Sequence, residues 1–358
     1  MAHGGHEPNS YAVPCIFLRC TDTLPREVQI RPRRVGDAYN TTGPCLKPWA
    51  RPISKAARGD RVACRGGALA AAPRTRTPSH GTTAQGGQGC RLPAMSSQAT
   101  STDGTVIRWL TTGSGPSLVL VHGGLGHPTR LAPLVAHLAS SATCVAIGRR
   151  GYGFSDDSPD YSYEREYDDV CAVLDEVGPP RWVWGISSGA IVALGAALST
   201  DVEKLIVVEP PLPVDGRIIS EAHRAEMEAA VGRGDLETAL LIGLREGVKV
   251  PPAEIEARRA QPAWSEQVSR TPAWVREFAC IDQLPSDVTR YGAISADTLL
   301  MWGTATQTHH RRAIEELERV LPKSRTIAVD GHGHASPVTA PAESAAAILS
   351  FLREGEAN

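Results

Sequence analysis

Gly185-Ile186-Ser187-Ser188-Gly189 sets a serine between glycines at the spacing G-x-S-x-G. The residues before it, Arg181–Ile186, read as a strand, and Gly189–Leu198, apolar on nearly every side, read as a buried helix. A serine on so sharp a strand-to-helix turn takes strained backbone angles, and side chains two positions to either side would collide across it, which is why both flanks are glycine. The turn lifts the Ser187 hydroxyl into a site and aims the Ser188 N–H at the same space from a helix N-terminus. That is the equipment of an acyl-transfer nucleophile.

A hydroxyl at its ordinary pKa is a weak nucleophile and needs a base within reach. Asp330-Gly331-His332-Gly333-His334 supplies two candidates, His332 and His334, on a Gly-rich turn after the last strand. The chemistry also needs a second donor for the oxyanion. His122-Gly123-Gly124-Leu125-Gly126 follows the first parallel strand, and its unobstructed backbone offers the Gly124 N–H as partner to that of Ser188. His122 itself leaves the strand on the buried side and reads as a structural hydrogen bonder. His309 and His310 open a helix on its expected solvated side, without partners at metal-ligand spacing, and are expected at the surface. Arg149 and Arg150 could bind an acidic substrate or pair structurally with acidic neighbours.

These pieces must be held by a scaffold, and the alternation of strand and helix describes one. Asp103-Gly104 is a hairpin signal between Ser96–Thr102 and Thr105–Thr111. Strands are expected at Ser117–Val121, Thr143–Ile147, Arg181–Ile186, Lys204–Val208, Thr298–Trp302 and Arg325–Val329, with helices between them. This predicts an α/β fold with a mainly parallel, eight-stranded sheet and helices on both faces. Residues 211–293 interrupt the rhythm with charged helical stretches and the turns Pro262-Ala263-Trp264 and Pro272-Ala273-Trp274, and read as an inserted helical cap. Trp264, Trp274 and Phe278 in that cap are the candidate walls of a substrate pocket.

From Met95 to its end, about three-quarters of its length, the chain resembles the α/β-hydrolase superfamily. The resemblance rests on His122-Gly123-Gly124, on Arg149-Arg150-Gly151-Tyr152-Gly153-Phe154-Ser155, on the turn at Ser187 and on Gly333-His334, in that order. It implies the α/β-hydrolase fold and a serine hydrolase, and the G-x-G-H pattern of Gly331-His332-Gly333-His334 selects His334 as the base. Many members of the superfamily carry the triad aspartate three residues beyond the glycine that ends the seventh strand. Here Gly303 is followed at that spacing by Thr306, which cannot supply a negative charge. Some members, certain haloalkane dehalogenases among them, place a glutamate after the sixth strand, and Val208-Glu209-Pro210 matches that arrangement. Glu209 is therefore the implied acid. A serine at the elbow argues against dehalogenation itself, which uses an aspartate there.

The expected substrate is a small, largely apolar ester, lactone or related carbonyl compound, cleaved through an acyl-enzyme without metal, nucleotide or flavin. The same scaffold also serves cofactor-free perhydrolases or haloperoxidases and non-catalytic ligand receptors, and the missing aspartate makes a receptor conceivable.

Composition narrows the partners. The 358 residues carry a net charge of −2, which gives no reason to expect nucleic acid or an acidic membrane. The charge is uneven, however: residues 1–94 hold 14 Lys and Arg against 5 Asp and Glu. That stretch has no sustained apolar period and reads as a disordered basic extension, a misassigned start upstream of Met95, or an organelle-targeting peptide whose many Pro and Gly would interrupt the usual helix. Five of the eight cysteines lie there without zinc-binding spacing, and the others, Cys144, Cys171 and Cys280, fall on apolar positions. No signal or membrane-length apolar run is present, so a cytoplasmic location is expected.

Overall fold

The Asp103-Gly104 turn joins β1 (Ser97–Thr100) to β2 (Val106–Gly113) as an antiparallel hairpin, with Gly104 at φ +88°. In the computed structural model, residues 97–354 are described; the readings made for residues 1–94 lie outside them. From β2 the sheet continues through β3 (Ser117–Val121), β4 (Thr143–Ile147), β5 (Trp182–Ile186), β6 (Lys204–Val208), β7 (Asp297–Gly303) and β8 (Ser324–Val329). The spatial order is β1-β2-β4-β3-β5-β6-β7-β8, and every pairing from β4 onward is parallel. The chain leaves β3 toward β4 on one side and reaches β5 on the other. Side chains at the carboxyl ends of β3 and β5 therefore flank a topological switch point, the place where open α/β sheets bind ligands.

The strands are apolar without interruption because both faces are covered. Along β3, Val119 and Val121 face one layer and Leu118 and Leu120 the other. The first layer holds α2 (Tyr163–Val177), α3 (Ser188–Ser199) and α8 (Thr308–Val320); the second holds α1 (Ala132–Leu138) and α10 (Pro341–Arg353), the last preceded by the short α9 (Ser336–Thr339). Val170, Val173 and Leu174 bury the inner stripe of α2, and Ser162 caps it by accepting from the Arg165 N–H.

Between β6 and β7 the chain forms α4 (Glu221–Gly232), α5 (Leu236–Ile242), a π-helical turn at Gly243–Gly247, α6 (Pro252–Arg259) and α7 (Trp264–Ile281). These helices bury a cluster of their own around Met227, Leu240, Leu244, Trp274 and Phe278. One expectation is corrected here. Pro272-Ala273-Trp274 is no turn but lies inside α7, with Pro272 mid-helix. The missing Pro272 N–H costs one helical hydrogen bond, and the burial of Ala273, Trp274, Val275 and Phe278 holds the helix together across it. Cys144 and Cys280 are buried and Cys171 half-buried, and burial pushes the Cys144 and Cys171 thiols up to about 12. Among the described residues no helix is long and apolar enough to cross a membrane.

Candidate active site

Ser187 sits between β5 and α3 at φ 55°, ψ −130°, a backbone conformation L-residues rarely adopt. Its flanking glycines are required by contact. A Cβ on Gly185 would meet the Gly189 carbonyl and lie 2.8 Å from the Ala190 Cα; one on Gly189 would strike the carbonyls of Val121 and His122. Three other non-glycine residues have positive φ among the described ones: Leu125, Glu209 and Lys249. Leu125 follows Gly124, Glu209 directly follows β6, and Lys249 lies beside the cavity described below. Strain of this kind persists only where surrounding contacts fix it, and here it is concentrated around Ser187.

Register brings the site together. Gly185 and Ile186 of β5 stand opposite Val207 and Val208 of β6, and Val208 stands opposite Met301 of β7. Ser187, Glu209 and the turn after Gly303 therefore leave the sheet side by side. Glu209 is fully buried, and both its oxygens are taken. Oε1 accepts from the Gly303 N–H at 2.7 Å; Oε2 accepts from the Thr306 hydroxyl at 2.8 Å and lies 2.6 Å from His334 Nδ1. Thr306, dismissed as unable to act as an acid, instead donates to one. His332 points elsewhere, with Nδ1 3.1 Å from the Thr339 hydroxyl.

Ser187, Ser188 and His334 line one cavity with Pro211, Ile218 and Val248 and with Trp274, Glu277, Phe278 and Ile281 of α7. Its volume is about 40 Å³, where one water needs roughly 10–15 Å³, so it takes a group of a few heavy atoms. Trp274 and Phe278 meet edge to face at 4.9 Å on its wall. Trp264 does not line it: its indole N–H donates to Glu237 at 3.0 Å within the cap, which corrects its assignment to the pocket.

His310 corrects a further expectation. It is 3 % exposed rather than at the surface, and its ring stacks on that of His334, with centroids 4.1 Å apart and planes within 6°. His309 lines the cavity beside it. The first turn of α8 faces the site because Gln307 ties it to the cap, donating to the Val248 carbonyl at 2.7 Å. Burial, followed by the neighbouring His334 and His309, holds the His310 pKa well below the usual histidine range. The position of α8 beyond the carboxyl end of β7 was the available sequence signal.

Beneath the loop that carries Gly123 and Gly124 lies an arginine network. Arg149 is buried; it donates to both oxygens of Glu166 at 2.6 Å, to the Ser188 hydroxyl at 2.9 Å and to the His122 carbonyl at 3.3 Å. Burial opposes its charge, but Glu166 and Glu277 more than offset that and raise its pKa. Arg150 pairs with Asp169 and Asp103. His122 lies 2.8 Å from the Gly123 carbonyl through Nδ1 and accepts the Arg149 N–H through Nε2. Burial, aided by Arg149, lowers its pKa to about 3, so it holds the loop as a neutral ring.

Gly124 lies against the Trp274 indole, which a Cβ there would strike. Glu277, which sequence reasoning did not single out, is buried on the cavity wall with one oxygen 3.5 Å from that same Cβ position. Its only sequence trace is a carboxylate between Trp274 and Phe278, on the apolar arc of α7.

The alpha/beta hydrolase family model matches residues 118–347. The chain belongs to the alpha/beta hydrolase family. An alpha/beta hydrolase from Sphaerobacter thermophilus is 31% identical, with a TM-score of 0.64 over 72% of this chain and 100% of that one. An uncharacterized hydrolase from Bacillus subtilis is 31% identical over 131 residues, 36% of this chain and 47% of that relative, so the match spans about half the relative's length. An esterase from a Rhodococcus species (22% identity, TM-score 0.53, 73% of this chain and 99% of that one) and an enol-lactonase from Burkholderia xenovorans (18%, 0.57, 72% and 100%) share the fold. The family match supports hydrolase activity.

Proposed function

We propose that the protein is a serine hydrolase of small carboxylic esters or lactones. Ser187 attacks the substrate carbonyl as His334 Nε2 takes its proton. Glu209, accepting from Nδ1, fixes the ring's tautomer and stabilises the imidazolium that forms. The Ser188 and Gly124 N–H groups hold the oxyanion. His334 then protonates the departing alcohol, and water, deprotonated by His334, releases the acid from Ser187.

The observation that carries this reading is the 2.6 Å contact between His334 Nδ1 and the fully buried Glu209 carboxylate, on the cavity that Ser187 enters from a strained turn. A ligand receptor became conceivable because position 306 lacks an aspartate; a carboxylate on His334 favours catalysis. Esters and lactones are the substrate classes named for the Rhodococcus and Burkholderia neighbours, and the cavity's size favours short acyl groups.

An alkyl fluorophosphonate probe tests it. We expect stoichiometric labelling at Ser187, and Ser187→Ala to abolish labelling and lower kcat/KM on short 4-nitrophenyl esters by on the order of 10⁴ or more. Turnover within tenfold of wild type in Ser187→Ala would remove Ser187 as nucleophile.

A further inference from the structure

Glu277 has a coordination that no structural role uses up. Its Oε1 accepts the Tyr152 hydroxyl and pairs with Arg149 at 2.8 Å, and those contacts suffice to tie α7 to the arginine network. The other oxygen, Oε2, is buried without a hydrogen-bond partner. Glu277 is 1 % exposed and lines the cavity, where its neighbours on the cap side are apolar: Ile218, Trp274, Phe278 and Ile281. A buried carboxyl oxygen left unpaired bears the full cost of its lost hydration. That cost is recovered when a ligand in the cavity supplies the missing hydrogen bond.

Location and charge restrict the ligand group. Oε2 lies 3.5 Å from the Cβ position of Gly124, the residue assigned above to the oxyanion, so a substrate group meeting it sits a few bonds from the scissile carbonyl. A cation is disfavoured because buried Arg149 occupies the same carboxyl group. An anion is disfavoured by Glu277 itself and by Glu166 behind it. A neutral group remains. Burial raises the Glu277 pKa and Glu166 reinforces this, while Arg149 and the Ser188 and Tyr152 hydroxyls oppose it. A hydroxyl suits either state, donating to the carboxylate or accepting from the acid.

We propose that Glu277 is a specificity-determining residue that hydrogen-bonds a substrate hydroxyl close to the scissile carbonyl, so that the preferred substrates are short hydroxy esters. This rests on the ester-hydrolase reading above and gives the cap side of the cavity a polar subsite.

The test uses the full chain and matched methyl esters: butanoate against each enantiomer of 3-hydroxybutanoate, and propanoate against each enantiomer of lactate. Rates are normalised to alkaline hydrolysis. In wild type the better enantiomer of at least one hydroxy ester is expected to exceed its deoxy partner by about tenfold or more in kcat/KM, since a site built for a hydroxyl rejects the analogue lacking it. Glu277→Leu should bring that ratio to about one or below while butanoate is still cleaved, and Glu277→Gln, which keeps a donor and an acceptor, should retain part of the preference. A purely structural role would lower both members of a pair together and leave the ratio unchanged. Should Glu277→Leu not fold, the wild-type ratios and the near-isosteric Glu277→Gln decide. Ratios of one or less in wild type for every pair, or a ratio unmoved in the foldable variants, overturn the proposal. Butanoate turnover with no hydroxy preference defeats this inference alone; absence of both turnover and phosphonate labelling defeats the ester reading and this proposal with it.

Discussion

Glu209 carries three hydrogen bonds on two oxygens, from Gly303, Thr306 and His334. If it works as the triad acid, Glu209→Gln keeps the shape, loses the charge and presents an amide that can misorient His334. Turnover should then fall by roughly two to four orders of magnitude, read in kcat on a saturating ester. Thr306 supports the same carboxylate. Thr306→Ala removes one hydrogen bond, typically worth about 0.5–1.5 kcal/mol, and should lower kcat by about two- to tenfold rather than being silent. His310 gives a test by stability. Its folded pKa is depressed, so below the unfolded value of 6.5 the unfolded chain binds a proton that the folded one refuses. Its contribution is present above that pH and is lost as pH falls from 6.5 toward the folded pKa, at up to about 1.4 kcal/mol per pH unit. His310→Phe keeps a flat ring against His334 and removes the titration. The stability advantage of wild type over this variant, measured by urea unfolding, should shrink between pH 7 and pH 5; a constant difference would show that His310 takes up its proton in the folded state.

At the scale of elements, the strand positions were legible because each is an apolar run bounded by turn residues, and a strand buried on both faces has no other composition. The elbow was legible because contacts across it demand glycine at two fixed positions. Pro272, by contrast, was misread as a turn because local propensity was overruled by the buried face of α7, and His310 was misread because a polar residue at a helix start ordinarily faces water. Glu277 was illegible for a related reason: its environment is made by Arg149 and Tyr152, more than a hundred residues away in the chain. Long-range packing also governs Gly195. Helices α2 and α3 cross there so closely that a Cβ on Gly195 would fall on the buried Tyr167 ring. Gly195→Val should overpack this crossing by about 1–3 kcal/mol. At this size that lowers Tm by roughly 2–10 °C, with kcat/KM on residual folded protein little changed.

The whole chain divides unevenly in charge. Among the described residues, the two core layers and the cap cluster draw on nothing before Ala99 or after Leu352, and the family match occupies residues 118–347. The Sphaerobacter hydrolase is covered over its full length by 72% of this chain. A chain beginning at Met95 thus contains every strand of the sheet and every residue assigned to the site. We expect it to unfold cooperatively within about 2 °C of the full chain, which corresponds to less than about 1 kcal/mol at this size, and to match its kcat/KM within about twofold. Residues 1–94 carry an excess of nine positive charges and the remainder an excess of eleven negative ones, so attraction between the two is the physical alternative. Such an attraction is screened by salt. The comparison is therefore made at 20 mM and 500 mM NaCl: a Tm deficit above about 5 °C at both would show that the first 94 residues pack on the domain, and a deficit confined to low salt would show that they bind it by charge.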